Sequence, residues 1–283
     1  MGYERRITLL KDGSAVAECG PMRIRISAWV GRLAQPQEAM RAARESMAFL
    51  EDVARDRQRL MASWASVAHS DLGSVGRRMW ESVAMVGDQD LTPMASVAGT
   101  IAEEVADFLA GRGMTRVIVD NGGDIAFRLT QGEEVRVGLR PKVSQGLVSH
   151  FLLLEGSRSS WGVATSGLGG RSLTRGIAWA ATVLAERASL ADAAATAVAN
   201  ATWVDCPEAK RTKAGDLDPG SDIAHLEVTV EVGGLPEEVA RLGLEKGLER
   251  ASRLMEKGVI LGAFVCVGSV SGSVGLAQRL QVI

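Results

Sequence analysis

Residues 92–127 read TPMASVAGTIAEEVADFLAGRGMTRVIVDNGGDIAF, and the parsing of this stretch decides the fold. Pro93 suits a first helical turn, with Thr92 in position to cap it. A helix then runs to about Gly111, where Gly-Arg-Gly stops it. The β-branched run Thr115–Asp120 predicts a strand, and Asn121-Gly122-Gly123-Asp124 predicts a turn into the next one. One helix–strand unit thus carries small residues at both ends. Bare backbone of this kind serves close packing, and it serves a bound phosphate or nucleotide equally well.

Upstream, residues 6–10 and 15–19 flank a turn at Asp12-Gly13, and residues 22–30 alternate with period two, which predicts a β-meander. Pro36 opens a long helix whose Met40, Ala43, Met47, Leu50 and Ala54 fall on one stripe. Residues 62–91 are irregular around a helix near 75–87. Downstream, strands are expected at 125–129, 133–140, 148–156 and 161–167, followed by a glycine loop at 166–170. The apolar run 176–186 predicts a buried strand, with a helix as the alternative, and the Ala-rich 190–204 predicts a helix. Residues 205–222, with two prolines, predict a polar loop. A strand at 225–233, an amphipathic helix at 235–258, a strand at 259–267 and a short last strand near 276–283 complete the order. Strands cluster rather than alternate with helices. The expected class is α+β, with mixed or antiparallel sheets packed against helices. One domain over 1–283 is expected, with a two-lobed form as the alternative.

Hydrophobic residues make up 46% of 283, enough for a sizeable core. A formal net charge of -2 and only 4% aromatics argue against a nucleic-acid or anionic-membrane partner. Nine apolar residues at 259–267 are too few to cross a bilayer. Three scattered cysteines, Cys19, Cys206 and Cys266, suit a reducing compartment, and no signal-peptide pattern opens the chain. A cytoplasmic location is expected.

Four segments could carry chemistry. Met94–Thr100, with Ser96 and Gly99, offers a helix N-terminus with unpaired N–H groups. Gly122, Gly123 and Asp124, with Asn121 before them, offer a turn that a ligand can approach. Thr165, Ser166 and Gly167, continuing to Arg171 and Ser172, offer hydroxyls, amides and a guanidinium to an anion. Asp192 and Thr196 lie one helical turn apart, a pair of hard oxygen donors suited to Mg²⁺. Each also has a plain structural reading: helix–sheet packing, a hairpin turn, a flexible loop, and a helix whose Asp favours the dipole. His69, His150 and His225 are scattered, and no serine sits in G-x-S-x-G.

In order and spacing, over roughly residues 90–205, these segments resemble the ApbE family (FAD:protein FMN transferase), and especially its uncharacterised relatives. The resemblance rests on the small-residue helix start, the Gly122-Gly123-Asp124 turn, Thr165-Ser166-Gly167 and the Ala191–Thr196 helix motif. It implies an ApbE-like, T-fold-related architecture. It makes Ser96, Gly99, Asn121, Gly122, Gly123, Asp124, Thr165, Ser166 and Gly167 contacts for FAD or FMN, and Asp192 and Thr196 ligands to Mg²⁺. Where the transferases carry His-x-x-Asp-Pro, this chain reads Arg171-Ser172-Leu173-Thr174-Arg175-Gly176, and their lysine before Gly99 is Ala98. The expectation is a binder of a phosphorylated small molecule with an altered catalytic segment. It would be a Mg²⁺-dependent flavin transferase or, alternatively, a non-catalytic flavin or nucleotide binder. A homodimer through the amphipathic helix at 235–258 is the assembly expected.

Overall fold

The computed structural model describes residues 3–142, 148–170 and 172–282. Strands β1 (Arg5–Leu9), β2 (Ala15–Cys19), β3 (Met22–Val30) and the two-residue β4 (Leu33–Ala34) open the chain. Helices α1 (Pro36–Leu60), α2 (Ser74–Val86) and α3 (Val97–Ala110) follow. Next come β5 (Arg116–Asn121), β6 (Asp124–Leu129), β7 (Glu134–Leu139), β8 (His150–Glu155), β9 (Ser160–Ser166) and β10 (Ala180–Ala185). The chain continues through α4 (Ala188–Ala201), β11 (Ala209–Lys213), α5 (Ala214–Leu217), β12 (Glu227–Val232) and α6 (Glu237–Glu256). It closes with β13 (Gly262–Val267), β14 (Val270–Val274) and β15 (Leu280–Val282).

Among the described residues, ten strands form one large sheet in the order β1-β2-β3-β5-β6-β9-β10-β13-β14, with β4 paired to β3. Among the described residues all its pairings are antiparallel, as the strand clusters in the sequence predict. A second antiparallel sheet, β15-β8-β7, covers part of one face. The helices cover the other.

Side-chain alternation along the strands makes these layers. On the helix side, Ile24, Ile26, Val117 and Val119 pack with Ala39, Ala43, Ile101 and Val105 of α1 and α3. Beside them, α4 and α6 pack on β10 and β13 through Ala194, Val198, Ala251, Val183 and Val265. On the opposite face, Phe127, Trp161, Val163 and Phe264 meet Val137, Leu139, Leu152 and Leu154 of the small sheet. Helix α4 is apolar on nearly every side, which marks a helix enclosed by its neighbours. Its partly exposed positions Asp192, Thr196 and Asn200 recur every four residues, so they form one polar stripe.

Two expectations are corrected, and one strand falls where none is expected. Residues 205–222 are not a plain loop: β11 pairs with β12 and α5 follows. β11 is polar on both faces, so no apolar alternation marks it, and Arg211 packs over the Trp203 ring at 4.2 Å. The Gly/Ser-rich segment after residue 267 forms β14, whose Gly272 lets Leu248 of α6 approach. Thr92 does not cap α3. Residues Pro93–Ser96 form a 3-10 turn, and the Thr92 hydroxyl bonds the Asp222 carboxylate instead.

Helix α6 spends its apolar face inside its own chain. Ala240, Gly243, Gly247 and Ala251 form a small-residue seam, with Gly243 and Gly247 set against Thr202. That face is not free to make a dimer. Among the described residues no helix is long and apolar enough to cross a membrane.

Candidate functional site

A cleft of about 1160 Å³ opens where the small sheet meets the large one. One end is the β5–β6 turn. There the Gly123 N–H donates to Asp120 Oδ1 at 2.8 Å, an Asx-type closure. Gly122 and Gly123 have φ of 76° and 108°, which side chains disfavour, and a Cβ on Gly123 would meet nothing within 4 Å. The turn therefore presents backbone to open space, and Asp120, Gly122, Gly123 and Asp124 all line the cleft.

The floor comes from β9 and β10. Thr165 and Thr182 are register partners, and their hydroxyls lie 2.8 Å apart. Both line the cleft because alternate residues, such as Ala164 and Val183, point into the helix layer. The walls are apolar: Ile125 and Val163 from the large sheet, Val137, Leu139 and Phe151 from the small one. Gly169, Gly170, Ser172 and Arg140, just past β7, complete the lining.

Behind the turn sits the start of α3. The Asn121 side-chain amide donates to the Ala98 carbonyl at 3.1 Å, and Ala98 itself lines the cleft. The Asp192 carboxylate accepts the Gly99 N–H at 2.8 Å, and the Ala98 N–H as well. These are the orphan donors of a helix N-terminus, and a carboxylate from another helix caps them. Burial pushes the Asp192 carboxyl up to about 7, against the two amide bonds that favour its charged form. Thr196 donates its hydroxyl to the Asp192 carbonyl at 3.2 Å.

The reverse contact also exists. Glu103 of α3 is buried, and its Oε2 accepts both the N–H and the hydroxyl of Ser189, in the first turn of α4, at 3.0 and 2.7 Å. Its Oε1 takes Arg78 Nη1 and Arg187 Nε, each at 3.0 Å. Each helix start is thus capped by an acid from the other helix.

The sequence candidates divide accordingly. Gly122, Gly123, Asp124 and Thr165 line the cleft together. Asn121 and Asp192 stand directly behind, on the two sides of the Ala98–Gly99 backbone. Ser96 does not reach the cleft: its hydroxyl donates to the Met79 and Pro93 carbonyls inside the core. Gly99 serves helix packing, since a Cβ there would lie 2.3 Å from the Ala188 carbonyl oxygen. Ser166 is buried at the end of β9, and Gly167, φ 139°, makes the bend that lets the Leu168 N–H reach the Ala178 carbonyl. Arg171 lies outside the described residues. Asp120, Gly169 and Gly170 line the cleft from within two of the candidate segments, whereas sequence reasoning missed Arg140, Phe151 and Thr182. Thr182 alone left a trace, as the one hydroxyl in an otherwise apolar run.

For a metal, Asp192 offers a carboxylate and Thr196 a hydroxyl. Among the described residues no three His, Cys, Asp or Glu side chains gather into a metal cluster. Mg²⁺ commonly keeps several waters and takes one or two carboxylates, so this donor pair fits an ion completed by water and ligand oxygens.

The chain belongs to the family described as AbpE bacteria, whose profile matches residues 7–276. Among curated relatives, a UPF0280 protein of Methanothermobacter thermautotrophicus is 34% identical over 194 residues, 68% of this chain and 60% of that protein. A UPF0280 protein of Methanopyrus kandleri is 41% identical over 160 residues, 53% of this chain and 62% of that one. The matched stretch thus spans less than two thirds of these relatives. Among solved structures, the apo flavinyl transferase ApbE of Pseudomonas stutzeri aligns over 98% of both chains with a TM-score of 0.51 and 14% identity. The flavin transferase ApbE of Vibrio cholerae covers 98% of this chain and 99% of its own, with a TM-score of 0.50 and 12% identity. The fold is therefore the α+β fold of those transferases.

Proposed function

We propose that the cleft binds a flavin nucleotide, FAD or FMN, with Mg²⁺ at Asp192 and Thr196. The observation that carries this reading is the pairing of an apolar slot with a strand turn of bare backbone. Ile125, Val163, Val137, Leu139 and Phe151 suit the faces of a fused aromatic ring. Asp120, Asp124, Thr165 and the backbone of Gly122–Gly123 suit the hydroxyls and heteroatoms at its edge. The fold shared with flavin transferases supports the same ligand class. Asn121 would hold the Ala98 carbonyl in place, and Asp192 would fix the α3 start against the turn.

Transfer of a flavin nucleotide would be the activity, and binding without turnover is the second reading. One observation favours the second. Ser172–Gly176 contains no acid–base side chain: Thr174 is buried, its carbonyl accepts the Thr229 N–H, and Arg175 is held by Asp90. Among the described residues lining the cleft, the only acidic side chains are Asp120 and Asp124.

Fluorescence titration of FAD and FMN with purified protein, with and without Mg²⁺, tests the reading. Saturable binding weakened by Thr165→Val and by Gly123→Val is expected. Absence of binding at millimolar protein-accessible ligand, with or without Mg²⁺, refutes it. AMP or FMN released from FAD beyond one equivalent of protein would decide for transfer over simple binding.

A further inference from the structure

The floor of the cleft holds two hydroxyls that have only each other. Thr165 of β9 and Thr182 of β10 are register partners, and their oxygens lie 2.8 Å apart. Among the described residues neither hydroxyl has a second partner. The neighbouring side chains supply none. Thr182 pairs on its other side with Phe264 of β13, and Val163 and Leu184 follow on the same face. Two hydroxyls carry two protons, and only one is used between them. Both residues line the cleft, but Thr182 is 3% exposed and Thr165 is half-buried. A buried O–H left without an acceptor is costly. Thr182 therefore donates to Thr165, and the proton left over is that of Thr165, the more open of the two.

We propose that Thr182 and Thr165 form a directed pair that reads a hydrogen-bond acceptor on the ligand. Thr182 donates to Thr165, and Thr165 donates to a carbonyl oxygen or an unprotonated ring nitrogen. Thr165 is the residue that touches the ligand, and Thr182 is a positioning residue. This rests on the flavin-nucleotide reading and assigns the edge of the ring that meets the floor: the edge bearing C=O and N acceptors, not the dimethyl edge. Without Thr182 the Thr165 hydroxyl turns freely. With it, one lone pair is filled and the O–H is polarised toward the next acceptor. A neutral donor among apolar side chains suits a neutral acceptor, because an anionic phosphate brought there would give up its hydration for one bond. The ligand's phosphate oxygens are thus left to the Mg²⁺ at Asp192 and Thr196.

The test has a ligand-free half and a ligand half. Wild type, Thr165→Val, Thr182→Val, Thr182→Ser and the double valine variant are first unfolded in urea. Thr165→Val strands the buried Thr182 hydroxyl and should lower the midpoint. Thr182→Val should stay near wild type, since solvent can serve Thr165 from the cleft. The double variant, with both partners apolar, should recover most of what Thr165→Val loses. FMN and riboflavin, which differ by the phosphate alone, are then titrated by fluorescence. Thr165→Val should weaken both roughly tenfold and Thr182→Val both roughly threefold. The double variant should lose no more than Thr165→Val, and Thr182→Ser should keep most of the wild-type affinity. Flavin binding that both valine variants leave intact overturns the proposal while the flavin reading stands. A loss confined to FMN overturns it as well, because the pair would then act on the phosphate. A midpoint lowered by Thr182→Val and not by Thr165→Val overturns the direction of the pair, and with it the proposal. If neither flavin binds wild type, the flavin reading fails, and AMP, whose adenine offers ring-nitrogen acceptors, decides the pair. AMP binding weakened by both valine substitutions upholds it; binding that is absent or unchanged overturns it.

Discussion

Replacing Asp192 with asparagine should make the protein more stable, and increasingly so as pH rises. The carboxyl is pushed from an ordinary 3.8 to about 7 in the folded state, chiefly by burial. Between those values the folded protein holds a proton that the unfolded chain has released. Stability therefore falls as pH rises through this window, by about 1.4 kcal/mol per pH unit at the steepest. Summed over about 3 pH units, the loss is about 4 kcal/mol, an upper bound because the side chain is partly exposed. Asparagine keeps a carbonyl oxygen for the Gly99 N–H and carries no charge, so Asp192→Asn is free of this loss. Asp192→Ala removes the acceptor as well. It should cost about 1–2 kcal/mol relative to asparagine at every pH, the value of a helix cap. Urea denaturation of the three proteins from pH 5 to 8.5 in EDTA measures both effects. The asparagine variant should diverge upward from wild type above pH 5 and level off above pH 7. Parallel wild-type and asparagine profiles would refute the buried-cap account. Saturating Mg²⁺ should narrow the gap at high pH, by giving the ionised carboxylate a partner.

Three further outcomes follow from the same structure. Glu103→Ala should destabilise by about 3–5 kcal/mol in denaturant titration, because Arg78, Arg187 and the Ser189 N–H lose a buried acid together. Gly99→Ala should lower the melting temperature by several degrees or prevent folding, since the added Cβ meets the Ala188 carbonyl at 2.3 Å; Gly234→Ser, exposed and with nothing near the added Cβ, should cost far less. The three cysteines are buried, and burial pushes the Cys266 thiol up to about 12, so a thiol reagent should label the native protein slowly and the urea-unfolded protein at once.

Much of the architecture was legible because its signals are local. The alternation of residues 22–30, the β-branched run ending at Asp120 and the Ala-rich α4 each carry their own period. The β11 strand and β14 were not legible, since a polar strand and a Gly/Ser strand owe their form to the partner beside them. In the site, the Gly122–Gly123 turn and Thr165 were readable as motifs, and the cleft brings them together. Ser96 and Gly99 carry a small-residue pattern that ligand binding and helix packing both select. Sequence carries no mark of which use applies, because the deciding neighbours, Met79 and Ala188, are distant in the chain.

The exchanged acids of α3 and α4 bear on how the chain reaches its native state. Gly99 and Asp192 are 93 residues apart, and Glu103 and Ser189 are 86. Neither helix ends well by itself, because each lacks a capping side chain of its own. An α3 formed early would fray until α4 arrived, and the converse holds. The pair therefore consolidates in one late, long-range event, and the backbone behind the cleft is set only when it does. A fragment ending before α4 would keep the Gly-Gly turn in its sequence and lose the structure that supports it.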